Sequence, residues 1–472
     1  MAKFIEKFIG FSVGPVIGAL ISFVTVPLTT YFIDPNEYGR ASMFFLFQMI
    51  FGTFLFLGMD QAYTREYHVV DNKLKLFQNA VIIPLTLAFV VLVGTLALPH
   101  EVSGLLFGTP EEPFPAILFG VMLAFMVVER YILLSIRMRE SALEYSLLNI
   151  FVKLGILTFT LLFVLFIRRD YLAVVYATVL GQISGDVYLV IRYRKLFAFR
   201  RFSPDRRLLT RMLKFGLPVV VATSLSSLLH YMDRLALYAW SSFYQIGIFT
   251  ATLKIAAVVS LLQTSFTTFW VPTAYRWHEN GKEIRYFRTV SDTVLLFMSL
   301  VMIVVLLFKD FITVILSSQY AEARYIVAFL CLPPVIFTIS ETTCLGIVFS
   351  RKTHLSIWTG LIALIPNALL NIVLVPRFGA PGAAASTGCA YLFFFAARTF
   401  FSNRNGIRIP AWKHHLVLLI LFAGAVMNAF PIKYILPVNL LLLVIVLIVQ
   451  AGTIRQLMQI FKTRKKKEWD FS

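Results

Sequence analysis

Fourteen long runs of apolar residues divide the chain at near-regular intervals, and lipid can satisfy the backbone polar groups of such runs only if each is a helix. Approximate limits are 8–32, 41–64, 77–98, 115–136, 145–167, 171–191, 212–240, 244–275, 286–308, 325–350, 354–376, 379–401, 414–430 and 434–454. Hydrophobic residues make up 59% of the 472 positions and charged residues 14%, which excludes both a soluble globule and a disordered chain. The fold class is an all-α polytopic membrane protein.

With the N-terminus in the cytoplasm, the segments on that side, together with the span ends that adjoin them, hold 32 of the 43 Lys and Arg, the opposite side holds seven, and four lie deeper inside spans. The positive-inside rule fixes this orientation, with both termini cytoplasmic. A net charge of +19 confined to one membrane face answers insertion and anionic headgroups, not nucleic acid. The first run follows Lys3 and Lys7 as a signal peptide would, but its length and the lack of a small-x-small cleavage site make it a retained helix. Cys331, Cys344 and Cys389 show no paired ligand spacing and are packing residues, so neither a disulfide nor a metal site is expected.

The stretch from Arg192 to Lys214 is the most basic and separates two halves. The expected organisation is a six-helix lobe over 1–191, a basic cytoplasmic linker over 192–211, a second six-helix lobe over 212–402, two added helices over 403–454 and a basic tail over 455–472. The linker and the tail run Arg464-Lys465-Lys466-Lys467 read as topology determinants or as attractors of anionic lipid. The halves look duplicated at an offset of 208: Gly39 matches Gly247, Arg169 matches Arg377, and Ala177-Thr178 matches Ala385-Ser386. Two parallel six-span repeats imply bundles related by an axis near the membrane normal.

Function is expected where charge is kept in hydrocarbon. Asp60, Glu129, Arg130, Lys153, Asp233, Arg234, Lys254 and Glu341 all fall within spans, at a cost of about 3 kcal/mol or more each unless partnered or hydrated. Arg130, Lys153, Arg234 and Lys254 are cations that could replace the hydration of a dense anion, and they come from both halves. They could equally serve as static staples to the four acids. Glu129 and Arg130, like Asp233 and Arg234, are adjacent and point about 100° apart, so neither pair neutralises itself on one face. His230, one turn before Asp233, could share their side of the helix or be a buried, hydrogen-bonded histidine.

No nucleotide loop is present, so any driving force must come from an ion or exchange. Asp60 and Glu341 are the candidate ion-coupling carboxylates. Asn367 and Asn371, four apart, present their amides on one face, to sugar hydroxyls or to a neighbouring helix. Prolines at 15, 27, 84, 218, 272, 333 and 334 would kink their spans.

The ordered landmarks Gly14-Pro15, DPNEYG at 34–39, GMDQAYTREY at 58–67, MDR at 232–234, GIFTATLK at 247–254, and Asn367 and Asn371 before PRFGAPGAAAS at 376–386 resemble one family over roughly residues 8–402. That family is the polysaccharide transporters of the multidrug/oligosaccharidyl-lipid/polysaccharide exporter superfamily, which includes the O-antigen (Wzx-type) flippases. The resemblance implies two six-helix lobes around a cavity in a bacterial cytoplasmic membrane. It also implies alternating access, and passage of a polyprenyl-diphosphate-linked oligosaccharide, a cell-envelope repeat unit, to the outer leaflet. Membrane lipids, a proton or sodium ion, and polysaccharide assembly proteins are the other partners it suggests, with no cofactor. The two C-terminal spans also occur in related lipid-linked precursor flippases, where they line a groove for the lipid tail; here their sequence reads as apolar and unmarked. Competing readings are a drug or cation antiporter of the same superfamily and a membrane polymerase or glycosyltransferase. The latter would need a long aqueous segment or a D-x-D or H-E-x-x-H motif, and neither is present.

Overall fold

A computed structural model describes the backbone of residues 2–198, 202–350, 352, 354–406 and 408–463. Side chains are described at these positions except 2–13, 15, 16, 222, 225, 226, 313, 461 and 463. The tail run 464–467, and Arg200 and Arg201 of the basic linker, lie outside the described residues. Among the described residues there is no strand, and the chain forms two compact units, Met1–Ser227 and Leu228–Ser472.

The first unit holds α1 (Ala2–Phe32), α2 (Pro35–Leu55), α3 (Met59–Glu66), α4 (Lys73–Ala97), α5 (Pro99–Phe107), α6 (Pro113–Met138), α7 (Ala142–Leu162) with a π-helical turn at Phe163–Ile167, α8 (Tyr171–Arg192) and the start of α9 (Arg206–Trp240). The second holds the end of α9, then α10 (Phe243–Glu279), α11 (Ile284–Leu307), α12 (Phe311–Leu316), α13 (Ala323–Thr343), α14 (Leu345–Phe349), α15 (His354–Phe378), α16 (Ala380–Arg404), α17 (Trp412–Asn428), α18 (Ile435–Val449) and α19 (Ala451–Thr463). Every expected span falls on one of these helices or on a consecutive pair. Among the described residues nine helices are long and apolar enough to cross a membrane, and eleven if two bent pairs each count as one span. The all-α polytopic class therefore holds.

The landmark DPNEYG works as a helix start. Asp34 caps α2 by accepting from the N–H groups of Asn36 at 2.9 Å and Glu37 at 3.2 Å, with Pro35 in the first turn. Glu37 then accepts from the backbone N–H of Tyr171 at 2.9 Å, satisfying an orphan donor at the start of α8. The second unit repeats the device: Ser242 caps α10, and Gln245, 208 residues after Glu37, accepts from the N–H of Ala380 at 2.9 Å where α16 begins. Helix pairings repeat as well: α2 with α8, α4 with α6 and α7 with α8 correspond to α10 with α16, α11 with α13 and α15 with α16.

The last two spans depart from expectation. Their apolar sequence hides a polar seam along α11: Lys413 pairs with Asp292 at 2.6 Å, His414 meets the Ser291 hydroxyl at 2.9 Å, and Gln450 donates to Ser299 at 2.8 Å. Asn428 of α17 and Asn439 of α18 exchange amide hydrogen bonds at 2.7 and 3.2 Å, and Asn439 also donates to the Leu306 carbonyl at 2.9 Å. With no hydrophobic drive between helices in lipid, such polar contacts and close packing must hold this pair in place.

Candidate functional site

In the first unit, α2 and α3 form one span bent by 51°. The break is made by Leu57 and Gly58, at φ 46° and 66°. A side chain at Gly58 would also meet a backbone: its Cβ would lie 2.3 Å from the Gly216 carbonyl oxygen of α9, and a Cβ at Gly216 would lie 2.5 Å from the Leu57 carbonyl oxygen. The new helix start carries Asp60 in its first turn, where the macrodipole favours negative charge. Asp60 Oδ2 accepts from Arg130 of α6 through Nη2 at 2.8 Å and Nε at 3.2 Å. The carboxylate is enclosed at 8% side-chain exposure, whereas the guanidinium, at 45%, stays open and has donors left over. The remainder of GMDQAYTREY clamps α3 to α9: Glu66 pairs with Arg211 at 2.7 Å, and Arg65 lies 4.5 Å over the Phe215 ring. The start of α9 is pinned to α4, since Asp205 accepts from Lys75 at 2.7 Å and donates its N–H to Asn79 at 2.8 Å. The Lys75 hydrogen bond holds the Asp205 carboxyl below the ordinary range.

One residue before Arg130, Glu129 has Gln182 of α8 and the positive charge of Lys153 of α7 as neighbours. Gln182 donates to Asp186 at 3.2 Å.

In the second unit, Asp233 of α9 sits in a neutral web. Its Oδ1 accepts from Asn371 at 2.9 Å and Asn367 at 3.2 Å, and its Oδ2 accepts from the Thr387 hydroxyl of α16. The predicted pair Asn367 and Asn371 thus does share a face, but its amide donors are spent on this carboxylate. The Asn371 carbonyl oxygen is buried without a partner, which leaves carboxylate, amide and hydroxyl oxygens around one point, a donor set suited to a small hard cation. Arg234, 8% exposed, has its Nε buried without an acceptor. His230 and Lys254 are at exposed positions.

Glu341 of α13 is held by Arg398 of α16 at 2.7 Å. Arg398 also donates to Ser340 at 2.7 Å and lies over the Phe337 and Phe394 rings at 5.1 and 5.4 Å. Both ion-coupling candidates, Asp60 and Glu341, therefore serve in this structure as counter-ions to arginine. Sequence reasoning missed Arg398 and Asp186, although both fall within expected spans, 379–401 and 171–191. Among the described residues no cluster of three His, Cys, Asp or Glu could hold a metal ion.

The family described as "Polysaccharide biosynthesis protein" matches residues 4–278, more than half of the chain. The chain belongs to that family. No curated protein matches it in sequence. Among solved structures it is similar to lipid II flippase MurJ in an inward closed conformation, at 15% identity and a TM-score of 0.69 over 95% of this chain and 99% of that one. It is also similar to a multidrug resistance MATE family transporter of the MOP superfamily in its inward-facing form, at 16% identity and TM-score 0.61 over 84% and 97%. The outward-facing form of such a transporter matches at 14% identity and TM-score 0.54 over 84% and 93%. The fold is therefore that of the MurJ and MATE transporters, and the family resemblance read from the landmarks holds.

Proposed function

We propose that this chain is a flippase that carries a polyprenyl-diphosphate-linked oligosaccharide, a polysaccharide repeat unit such as that of O-antigen, across a bacterial cytoplasmic membrane by alternating access. The observation that carries the reading is the pairing of a polysaccharide biosynthesis family with a fold match to a lipid II flippase over 95% of the chain. The two MATE matches reported above leave about a sixth of the chain uncovered. Site chemistry supports an anionic headgroup: Arg234 has a buried donor in search of an acceptor, and Arg130 keeps donors beyond those used on Asp60. Lys153 and Lys254 add point charges, and Asn367 and Asn371 contribute through Asp233. We assign coupling to Asp233, because Asp60 and Glu341 are neutralised by arginine and Asp233 is hydrogen-bonded only to neutral groups among the contacts described. The substrate is moved unchanged, so no catalytic residue is assigned.

The test is flipping of a fluorescent undecaprenyl-diphosphate oligosaccharide in proteoliposomes under imposed proton or sodium gradients. Flipping should collapse in Arg234→Ala and weaken in Lys254→Ala, and Asp233→Asn should lose its response to the gradient. Gradient-driven export of organic cations without flipping would overturn the reading in favour of a drug antiporter.

A further inference from the structure

Asp186 of α8 is wholly buried, and nothing in the transport reading uses it. Its Oδ1 accepts one bond from Gln182, and its Oδ2 is buried with no partner at all. Glu129 of α6 is its charged neighbour and lies beside the same Gln182 side chain. The charged groups whose fields reach these two carboxyls are Lys153 from α7 and Arg130 from α6, and Arg130 is committed to Asp60; α1 presents Gly18 against the Lys153 stem. With both acids ionised, two negative charges face the positive charge of Lys153 beyond the Asp60–Arg130 pair, and Asp186 Oδ2 has neither hydrogen bond nor solvent. An unsatisfied buried carboxylate oxygen of this kind is expensive.

We propose that Glu129 and Asp186 form a proton-binding site that takes up one proton between them. The proton bonds to Asp186 Oδ2, or is shared with Glu129, and brings the cluster with Lys153 to neutrality; its release restores the second carboxylate. A metal cation fits less well, because Gln182 turns its N–H donors toward the carboxyls and Lys153 already places a cation beside them. The site lies on helices other than the Asp233 web, and its titration is read without a transported substrate.

Infrared pH titration of the substrate-free full chain in nanodiscs, in sodium-free buffer, tests this by the carbonyl stretch of a protonated carboxyl. The natural chain should keep one such carboxyl at neutral pH, and Asp186→Asn should lose it. Opposite shifts are expected from the neighbours: Glu129→Gln removes a repelling charge and lowers the titration midpoint, and Lys153→Met removes an attracting one and raises it. These two variants decide the matter should Asp186→Asn fail to fold. Absence of the band at neutral pH, its survival in folded Asp186→Asn, or a midpoint unmoved in both neighbouring variants would overturn the proposal. Displacement of the band by sodium at fixed pH would replace the proton with a cation.

Discussion

The two units share a frame and differ in what they bury. Glu37 on the Tyr171 N–H and Gln245 on the Ala380 N–H do one job 208 residues apart, and three helix pairings recur. The charged residues of the buried ion pairs do not recur: position 208 beyond Asp60 is Thr268, beyond Arg130 is Thr338, and 208 before Arg398 is Val190. A contact that satisfies the orphan N–H groups of a helix start is constrained by backbone geometry, whereas the faces those helices present are free to diverge. The first unit ends up with an ion pair open on its arginine side and a protonatable pair beside it. The second holds a neutral cage around Asp233 and an ion pair closed on both sides.

That contrast is sharpest in the two arginines. Arg398→Met leaves Glu341 enclosed without its counter-charge and should destabilise the protein by about 3–5 kcal/mol, with Arg398→Met/Glu341→Leu recovering much of the loss. Arg130→Met should cost less than Arg398→Met, because the open side of its pair is partly solvated already. Thermal unfolding of the four chains in one detergent compares them directly, and equal losses for the two single variants would show that openness at Arg130 is immaterial.

Each unit has one bent helix pair, α2 with α3 in the first and α18 with α19 in the second, and the first turns at Gly58. Gly58→Ala combines a left-handed backbone with a Cβ driven into the Gly216 carbonyl, and we expect a loss of about 1–3 kcal/mol or more. Gly94→Ala, where a Cβ meets nothing, is the matched control and should be neutral or slightly stabilising. Melting temperatures that fall equally in both variants would remove the close approach of α3 and α9 from the account.

How much of this was legible follows the same division between frame and face. Apolar run length placed every expected span on a helix or a consecutive pair of helices, because lipid leaves the backbone one solution, and the repeat offset emerged from a few residues at helix ends. Which charge pairs with which was not legible. Asp60 and Arg130 are 70 positions apart and Glu341 and Arg398 are 57 apart, so only the packing of distant helices makes them partners. Asn367 and Asn371 were correctly placed on one face, but their shared acceptor, Asp233, lies more than 130 positions away. Asp186 could have been found, since the rule that singled out Glu129 applies to it equally.

The smallest expected effect lies in the polar seam that holds α17 and α18, which has no counterpart in the first unit. Replacing Asn428 and Asn439 together by Leu removes the reciprocal amide bonds and the donation to the Leu306 carbonyl while leaving no unpaired amide behind. Interhelical hydrogen bonds in membranes are worth about 0.6 kcal/mol on average, so the double variant should lose no more than about 1–2 kcal/mol. The single variant Asn439→Leu leaves the Asn428 amide with its bond to the Gly424 carbonyl alone and its own carbonyl oxygen unpaired, and should cost at least as much as the pair. If proteolysis of the folded chain in nanodiscs then opens the 429–434 connection in the single variant but not in the double, the seam acts through satisfaction of its amides. If both open alike, the amides themselves hold these two helices to α11, and polar pairing rather than shape fixes the end of the chain.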